Sequence, residues 1–209
     1  MNRKRIIISL IFLIFFCNNS FSKQFNKNQI DLISKIERFF RDLKTIQGSF
    51  IQFSEVNEAM SEGKFYVKKP QKVRFEYKNP NNLLIVSRGD LLNYYDRDLD
   101  EITIIPTSKT PIPLLFNNNF GLNTDKSNLI DVIENPDGTK KILLKITIEE
   151  LEYFVEYTFD KQITKIVEIS VTDENRQKTT LSLSHTLINS GISDSIFIFK
   201  NPRLYKNRK

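Results

Sequence analysis

Between positions 30 and 43 the apolar residues Ile30, Ile33, Ile36, Phe40 and Leu43 recur every three or four places, with Asp31, Lys35, Glu37 and Asp42 off the stripe. That spacing predicts one amphipathic helix. From Gly48 the period falls to two. Phe65 and Val67 alternate with polar neighbours, and Val73, Phe75 and Tyr77 alternate with Lys72, Arg74, Glu76 and Lys78, as half-buried strands do. Turn signals divide the remainder of the chain: Lys69-Pro70, Asn79-Pro80, Arg88-Gly89-Asp90, Asp96-Arg97-Asp98, Asn135-Pro136-Asp137-Gly138, Asp160-Lys161-Gln162 and Asp173-Glu174-Asn175. Strand, tight turn, strand is an antiparallel meander. We expect an α+β fold with about eleven strands in one extended, curved sheet, near 49–55, 62–68, 72–78, 83–87, 91–95, 101–105, 140–147, 152–159, 163–172, 177–186 and 196–199.

The run Thr110-Pro111-Ile112-Pro113-Leu114-Leu115-Phe116 interrupts the meander and predicts a short helix near 111–117, followed by a polar loop at Asn117-Asn118-Asn119. A second helical piece is expected near 126–133, with Ser127 as its cap and Leu129, Ile130 and Ile133 as its apolar positions. No repeat or linker divides the chain, so 23–209 reads as one domain.

The first 22 residues differ from the rest. Three cations (Arg3, Lys4, Arg5) precede an apolar run from Ile6 to Phe16, and Ser20 and Ser22 supply small residues at cleavage spacing. This is the pattern of a secretory signal peptide cut after Ser22, and it predicts export to the periplasm. The apolar run is about half the roughly 20 residues of a membrane span. Cys17 is the one cysteine; lipidation there would need a small residue before it, and Phe16 is bulky. A mature chain without cysteine has no thiol chemistry and no Cys-based metal site, and its core alone must hold it, burying about 70% of the unfolded surface.

Charge excludes another class. The chain carries 31 Lys and Arg against 25 Asp and Glu, but three of the cations belong to the leader. Too little basic surplus remains to neutralise several phosphates, so no nucleic-acid partner is expected.

Candidate catalytic groups are few. Nucleophilic catalysis needs a base, and His185, at the end of a strand-like run, is the single histidine. Asp96-Arg97-Asp98-Leu99-Asp100 imitates a calcium loop, but Glu101 stands where Gly is required and Thr107 where the bidentate Glu belongs. Glu149, Glu150 and Glu152 sit at a strand-to-strand turn, and Arg88-Gly89-Asp90 reads as hairpin chemistry. The basic tail from Lys200 reads as a solvated terminus. The most prominent feature is apolar surface. Thirteen Phe and seven Tyr follow the leader, and Leu83-Leu84-Ile85-Val86 and Ile102-Thr103-Ile104-Ile105 are apolar on both faces. Two or three helices cannot obviously fill such a sheet. Either an ordinary core or an unfilled concave surface that takes acyl chains satisfies this pattern.

The stretch Glu62-Gly63-Lys64-Phe65-Tyr66-Val67-Lys68-Lys69-Pro70-Gln71-Lys72-Val73-Arg74-Phe75-Glu76-Tyr77-Lys78-Asn79-Pro80 resembles the periplasmic outer-membrane lipoprotein carrier family (LolA-like). Its flanks agree in order: Gly48-Ser49-Phe50-Ile51-Gln52 before it, Leu84-Ile85-Val86-Ser87-Arg88-Gly89 after it, then Tyr95-Asp96, Thr110-Pro111 with Leu114-Leu115, and Ile196-Phe197-Ile198-Phe199 as closing strand. The resemblance implies an unclosed half-barrel lidded by two or three short helices. It implies an apolar cavity for the acyl chains of lipoproteins, with Phe50, Phe65, Val67, Phe75 and Tyr77 in it and Leu114, Leu115 and Phe116 on the lid. It also implies a monomeric periplasmic chaperone without enzymatic activity, cofactor or metal. Such a carrier moves acylated lipoproteins from an inner-membrane ATP-driven release complex to an outer-membrane receptor.

The family's lid tether is a basic residue before the proline. Here it is Lys69 where Arg is usual, a substitution that loses the planar fork of donors, and Arg74 is a second candidate for the role. Two alternatives stay open: a lipid-anchored receptor of the same fold, which needs Cys17 lipidated, and a secreted hydrolase, which would run through His185. A sensor built on the same half-barrel is a third.

Overall fold

The computed structural model describes residues 24–78, 80–110, 123–124 and 127–203. Asn26 starts the helix α1 (Lys27–Asp42) with a reciprocal cap: its side chain accepts from the Gln29 amide at 3.0 Å, and its own amide donates to the Gln29 side chain at 3.1 Å. Two otherwise orphaned N–H groups are thereby satisfied. Of the predicted stripe Ile36, Phe40 and Leu43 are in the core and Ile33 packs partly buried against it, whereas Ile30 is 55% exposed and Leu32, one turn before Ile36, takes the first buried place instead. At the helix C-terminus the Lys69 Nζ donates to the Phe40 carbonyl at 2.6 Å, placing a cation where the helix dipole favours one. Burial lowers the Lys69 pKa.

Among the described residues twelve strands follow: β1 (Thr45–Ser54), β2 (Ala59–Lys68), β3 (Lys72–Tyr77), β4 (Leu83–Arg88), β5 (Leu91–Asp96), β6 (Glu101–Pro106), β7 (Asn123–Thr124), β8 (Ser127–Glu134), β9 (Lys140–Ile148), β10 (Leu151–Phe159), β11 (Ile166–Thr172) and β12 (Lys178–Ile188). They form a single antiparallel sheet in the order β6-β5-β4-β3-β2-β1-β12-β11-β10-β9-β8-β7. β1 pairs with β12, joining the two meanders, while among the described residues β6 and β7 are the two edges of the sheet, which is unclosed. The α+β fold class is the expected one.

Two local expectations are corrected. Residues 127–134 are a strand and not a helix. A bulge between Leu129 and Asp131 puts Leu129 opposite Leu144 and Val132 opposite Ile142 on one face, so a three-residue spacing imitates helical periodicity. The predicted strand at 196–199 is also absent: Asp194–Phe197 is a 3-10 turn, capped by Ser193, and the chain after it is irregular. The helix expected near 111–117 lies outside the described residues. Within them, α1 and the 3-10 turns Thr107–Lys109 and Asp194–Phe197 accompany the sheet.

The inner face of the sheet carries α1 and the main core. Register aligns Gly48, Phe65, Phe75 and Ile85 in one row across β1 to β4, and Phe50, Gly63 and Tyr77 in the next. Gly63 is required by contact, since a Cβ there would stand 2.8 Å from the Phe50 ring. The outer face of β3 and β4 is covered by the C-terminal segment, which we call the strap. Leu84 and Val86 are buried on that face and Phe197 is buried in the strap, which explains why the β4 sequence is apolar on both sides.

Polar ties hold the strap. Asp194 receives Lys68 at 2.7 Å and Lys72 at 2.8 Å, and the Arg74 guanidinium donates to the Ile196 carbonyl at 3.1 Å. The two lysines depress the Asp194 carboxyl from 3.8 to about 2. Because the folded pKa lies below the unfolded one, the tie is present above pH 3.8 and is lost as pH falls through about 2. Asp194→Asn should speed amide exchange across residues 192–199 at neutral pH while leaving the exchange of β9 and β10 unchanged. Unaltered protection of the strap in that variant would show that its apolar contacts suffice.

Candidate functional site

The inner face is only partly filled by α1. Phe40 meets Tyr157 and Phe159 edge-on, at ring separations of 5.1 and 5.8 Å, and Phe39 meets Phe159 at 5.2 Å, which packs solidly the region beside the start of β1. Toward the end of β1, at Gln52 and Ser54, lies a cavity of about 530 Å³. Its apolar walls come from two sides: Phe65, Phe75 and Ile85 on β2 to β4, and Ile169, Val171, Leu181 and Leu183 on β11 and β12. Its polar groups, Gln52, Ser54, Asn57, Asp173, Gln177 and Thr179, come from the two neighbouring hairpins and the strand ends beside them.

Aromatic packing sets the shape of the floor. Phe65 and Phe75 are stacked at 6.1 Å, and Phe50 lies beneath, edge-on to Phe75 at 5.5 Å and to Tyr77 at 4.9 Å. The Tyr77 hydroxyl donates to Gln52 Oε1 at 2.7 Å. Burial, with a smaller contribution from Tyr94, pushes the Tyr77 phenol up to about 12, so it remains a donor across the physiological range.

Of the residues expected in the cavity, Phe65, Phe75 and Tyr77 line it, Phe50 supports their rings, and Val67 is buried in the core beside its partner Val73. Leu114, Leu115 and Phe116 lie outside the described residues. Lys69 and Arg74 are not brought together. Lys69 is tied to the end of α1, and Arg74 is on the outer face with Glu76 and the strap. Two arginines, Arg74 and Arg97, hold the Glu76 carboxyl below its usual range against the opposing effect of burial.

The contribution of β11 and β12 was missed. Its signal was the alternation of Leu181 and Leu183 with Thr180, Ser182 and Ser184, and of Ile169 with Val171. His185 is exposed and is not part of the cavity wall. Among the described residues no group of three or more His, Cys, Asp or Glu is placed to hold a metal ion. The Asp96 carboxylate instead accepts from the amides of Asp98 and Leu99, as in an ordinary turn.

Comparison with known proteins matches this architecture to a family. Residues 41–200 fit the family described as "Outer membrane lipoprotein carrier protein LolA". A Francisella tularensis subsp. novicida protein named outer-membrane lipoprotein carrier protein is 30% identical over 196 residues, spanning 88% of this chain and 90% of its own. An uncharacterized protein of Rickettsia prowazekii is 26% identical over 198 residues, spanning 95% and 89%. The crystal structure of a LolA superfamily protein from Nitrosomonas europaea is similar at a TM-score of 0.46 and 10% identity, covering 82% of this chain and 97% of that one. The family match runs from the last turn of α1 through every strand of the sheet and into the strap, and the chain belongs to the outer membrane lipoprotein carrier (LolA) family.

Proposed function

We propose that this protein is a periplasmic carrier which shields the acyl chains of lipoproteins in the cavity between β1–β4 and β11–β12. It takes them from an inner-membrane ATP-driven release complex and delivers them to an outer-membrane receptor. The observation that carries this reading is the apolar cavity of about 530 Å³, within the roughly 300–1,000 Å³ typical of small-ligand sites. Each acyl methylene withdrawn from water contributes about 0.8 kcal/mol, so a soluble carrier must offer comparable burial and yet release its load. Residues 1–22 serve as the export signal, and the mature monomer begins at Lys23. Lys69 is held at the end of α1 through its bond to the Phe40 carbonyl.

Native mass spectrometry of the protein purified from its own periplasm tests this reading. We expect a chain beginning at Lys23 with a diacyl or triacyl polypeptide bound. A lipidated Cys17 would identify an anchored receptor instead, and a cargo-free chain that takes up no acylated peptide when offered one would refute carriage.

A further inference from the structure

The polar part of the cavity wall is one-sided in charge. Among the described residues lining it, Asp173 is the one that carries a charge, and none is Lys, Arg or His. The carboxylate is held in place: its Oδ1 accepts from the Gln177 amide at 2.8 Å, inside the turn that joins β11 to β12. That turn lies beside the β1–β2 turn, since the Glu55 amide donates to the Lys178 carbonyl at 3.0 Å. Glu55, Glu58 and Glu174 on these two turns add negative charge, with Arg176 as the opposing cation, while Lys178 is paired with Glu156 at 3.3 Å. The neutral donors are well placed for a different head. Because Gln52 Oε1 is occupied by the Tyr77 hydroxyl, its Nε2 is the end left to donate, and a carbonyl is what it would bind.

We infer that the mouth of this cavity selects by head-group charge, admitting acyl chains carried on an uncharged or cationic head and turning away those that end in a carboxylate or phosphate. The inference rests on the carrier reading above. Inserting a chain draws its head toward the wall, where water is displaced and the effective dielectric falls, so like charge near Asp173 is repelled and finds no cation among the described lining residues to offset its desolvation. A lipoprotein's chains are joined through amide and ester groups, which are acceptors without charge. Free fatty acids and acidic phospholipids bring an anion to the same place. The acidic mouth therefore favours acylated polypeptide over the membrane's own anionic lipid.

The test uses the mature protein and displacement of the neutral fluorophore N-phenyl-1-naphthylamine by three ligands of one chain length: monopalmitin, palmitoylcholine and palmitate, each below its micelle-forming concentration. Monopalmitin and palmitoylcholine should displace the probe at concentrations about tenfold lower than palmitate, a gap that added salt narrows. Asp173→Asn, which keeps an acceptor for the Gln177 amide, should bring palmitate to within about threefold of monopalmitin. Equal displacement by all three ligands in the unsubstituted protein would overturn the inference while leaving an acyl-binding cavity. A gap that neither Asp173→Asn nor salt reduces would overturn it as well. Absence of probe binding, or of displacement by any ligand, would remove the cavity reading itself and the inference with it.

Discussion

Phe40→Ala should lower the stability of the fold by about 3–5 kcal/mol, the cost of emptying a large core site whose walls cannot close. The ring is fully buried, with edge contacts to Phe39, Tyr157 and Phe159. Tyr157 and Phe159 are fixed by strand pairing on both sides, β10 lying between β9 and β11, so the surroundings cannot collapse onto a methyl group without breaking register. The loss also loosens the last turn of α1, where the Phe40 carbonyl is held by Lys69. In a chain of this size each kcal/mol is worth about 2–4 °C in melting temperature. Denaturant unfolding should show a lower midpoint with an unchanged slope. Phe154→Ala, on the same strand as Tyr157 and Phe159 but 38% exposed, is the matched control and should cost under about 1 kcal/mol. Equal losses in the two variants would mean that α1 is not what holds this part of the core.

Two kinds of signal located the predicted elements that are present. The three-to-four spacing of Ile36, Phe40 and Leu43 in α1 and the alternation of β2 and β3 carry a period, whereas β4 and β6, apolar on both faces, are marked by the turns that bound them. β8 failed because a bulge adds one residue and shifts the period from two to three, which single-sequence reading cannot tell from a helix. The strap failed for a related reason. Ile196, Phe197, Ile198 and Phe199 are apolar like a strand, yet their partners are side chains of an outer sheet face and not a neighbouring ladder: Phe199 meets Tyr95 edge-on at 6.0 Å and Phe197 is buried over β3 and β4.

The placement of Arg74 was within reach. It stands between Val73 and Phe75, and a strand that turns both of those inward must turn Arg74 outward, toward Ile196 and away from any lid on the inner face. Lys69, in the turn between β2 and β3, is not bound by that parity, and only the structure shows its reach to Phe40. The division of the inner face into solid core and open cavity was not legible either. Alternation tells which side chains face inward. It does not tell that one helix of sixteen residues stops short of covering them all.

Leu181→Glu should abolish acyl binding while leaving the fold intact, and it is the variant with the largest expected effect on function. Leu181 lies on β12 opposite Gln52 of β1 and forms part of the cavity wall, where it is only partly buried, so a carboxylate there can keep its water in the unloaded protein. A bound acyl chain would displace that water. Removing hydration from an ionised carboxylate without a partner costs several kcal/mol, enough to weaken binding by about a hundredfold or more. Binding of N-phenyl-1-naphthylamine or of a palmitoylated peptide should disappear, with the melting temperature within a few degrees of the parent. Leu187→Glu, on the same strand but exposed and outside the cavity wall, should bind normally. A folded Leu181→Glu protein that still takes up palmitoylated peptide would place the acyl site elsewhere, because no chain could occupy this cavity and leave that carboxylate hydrated.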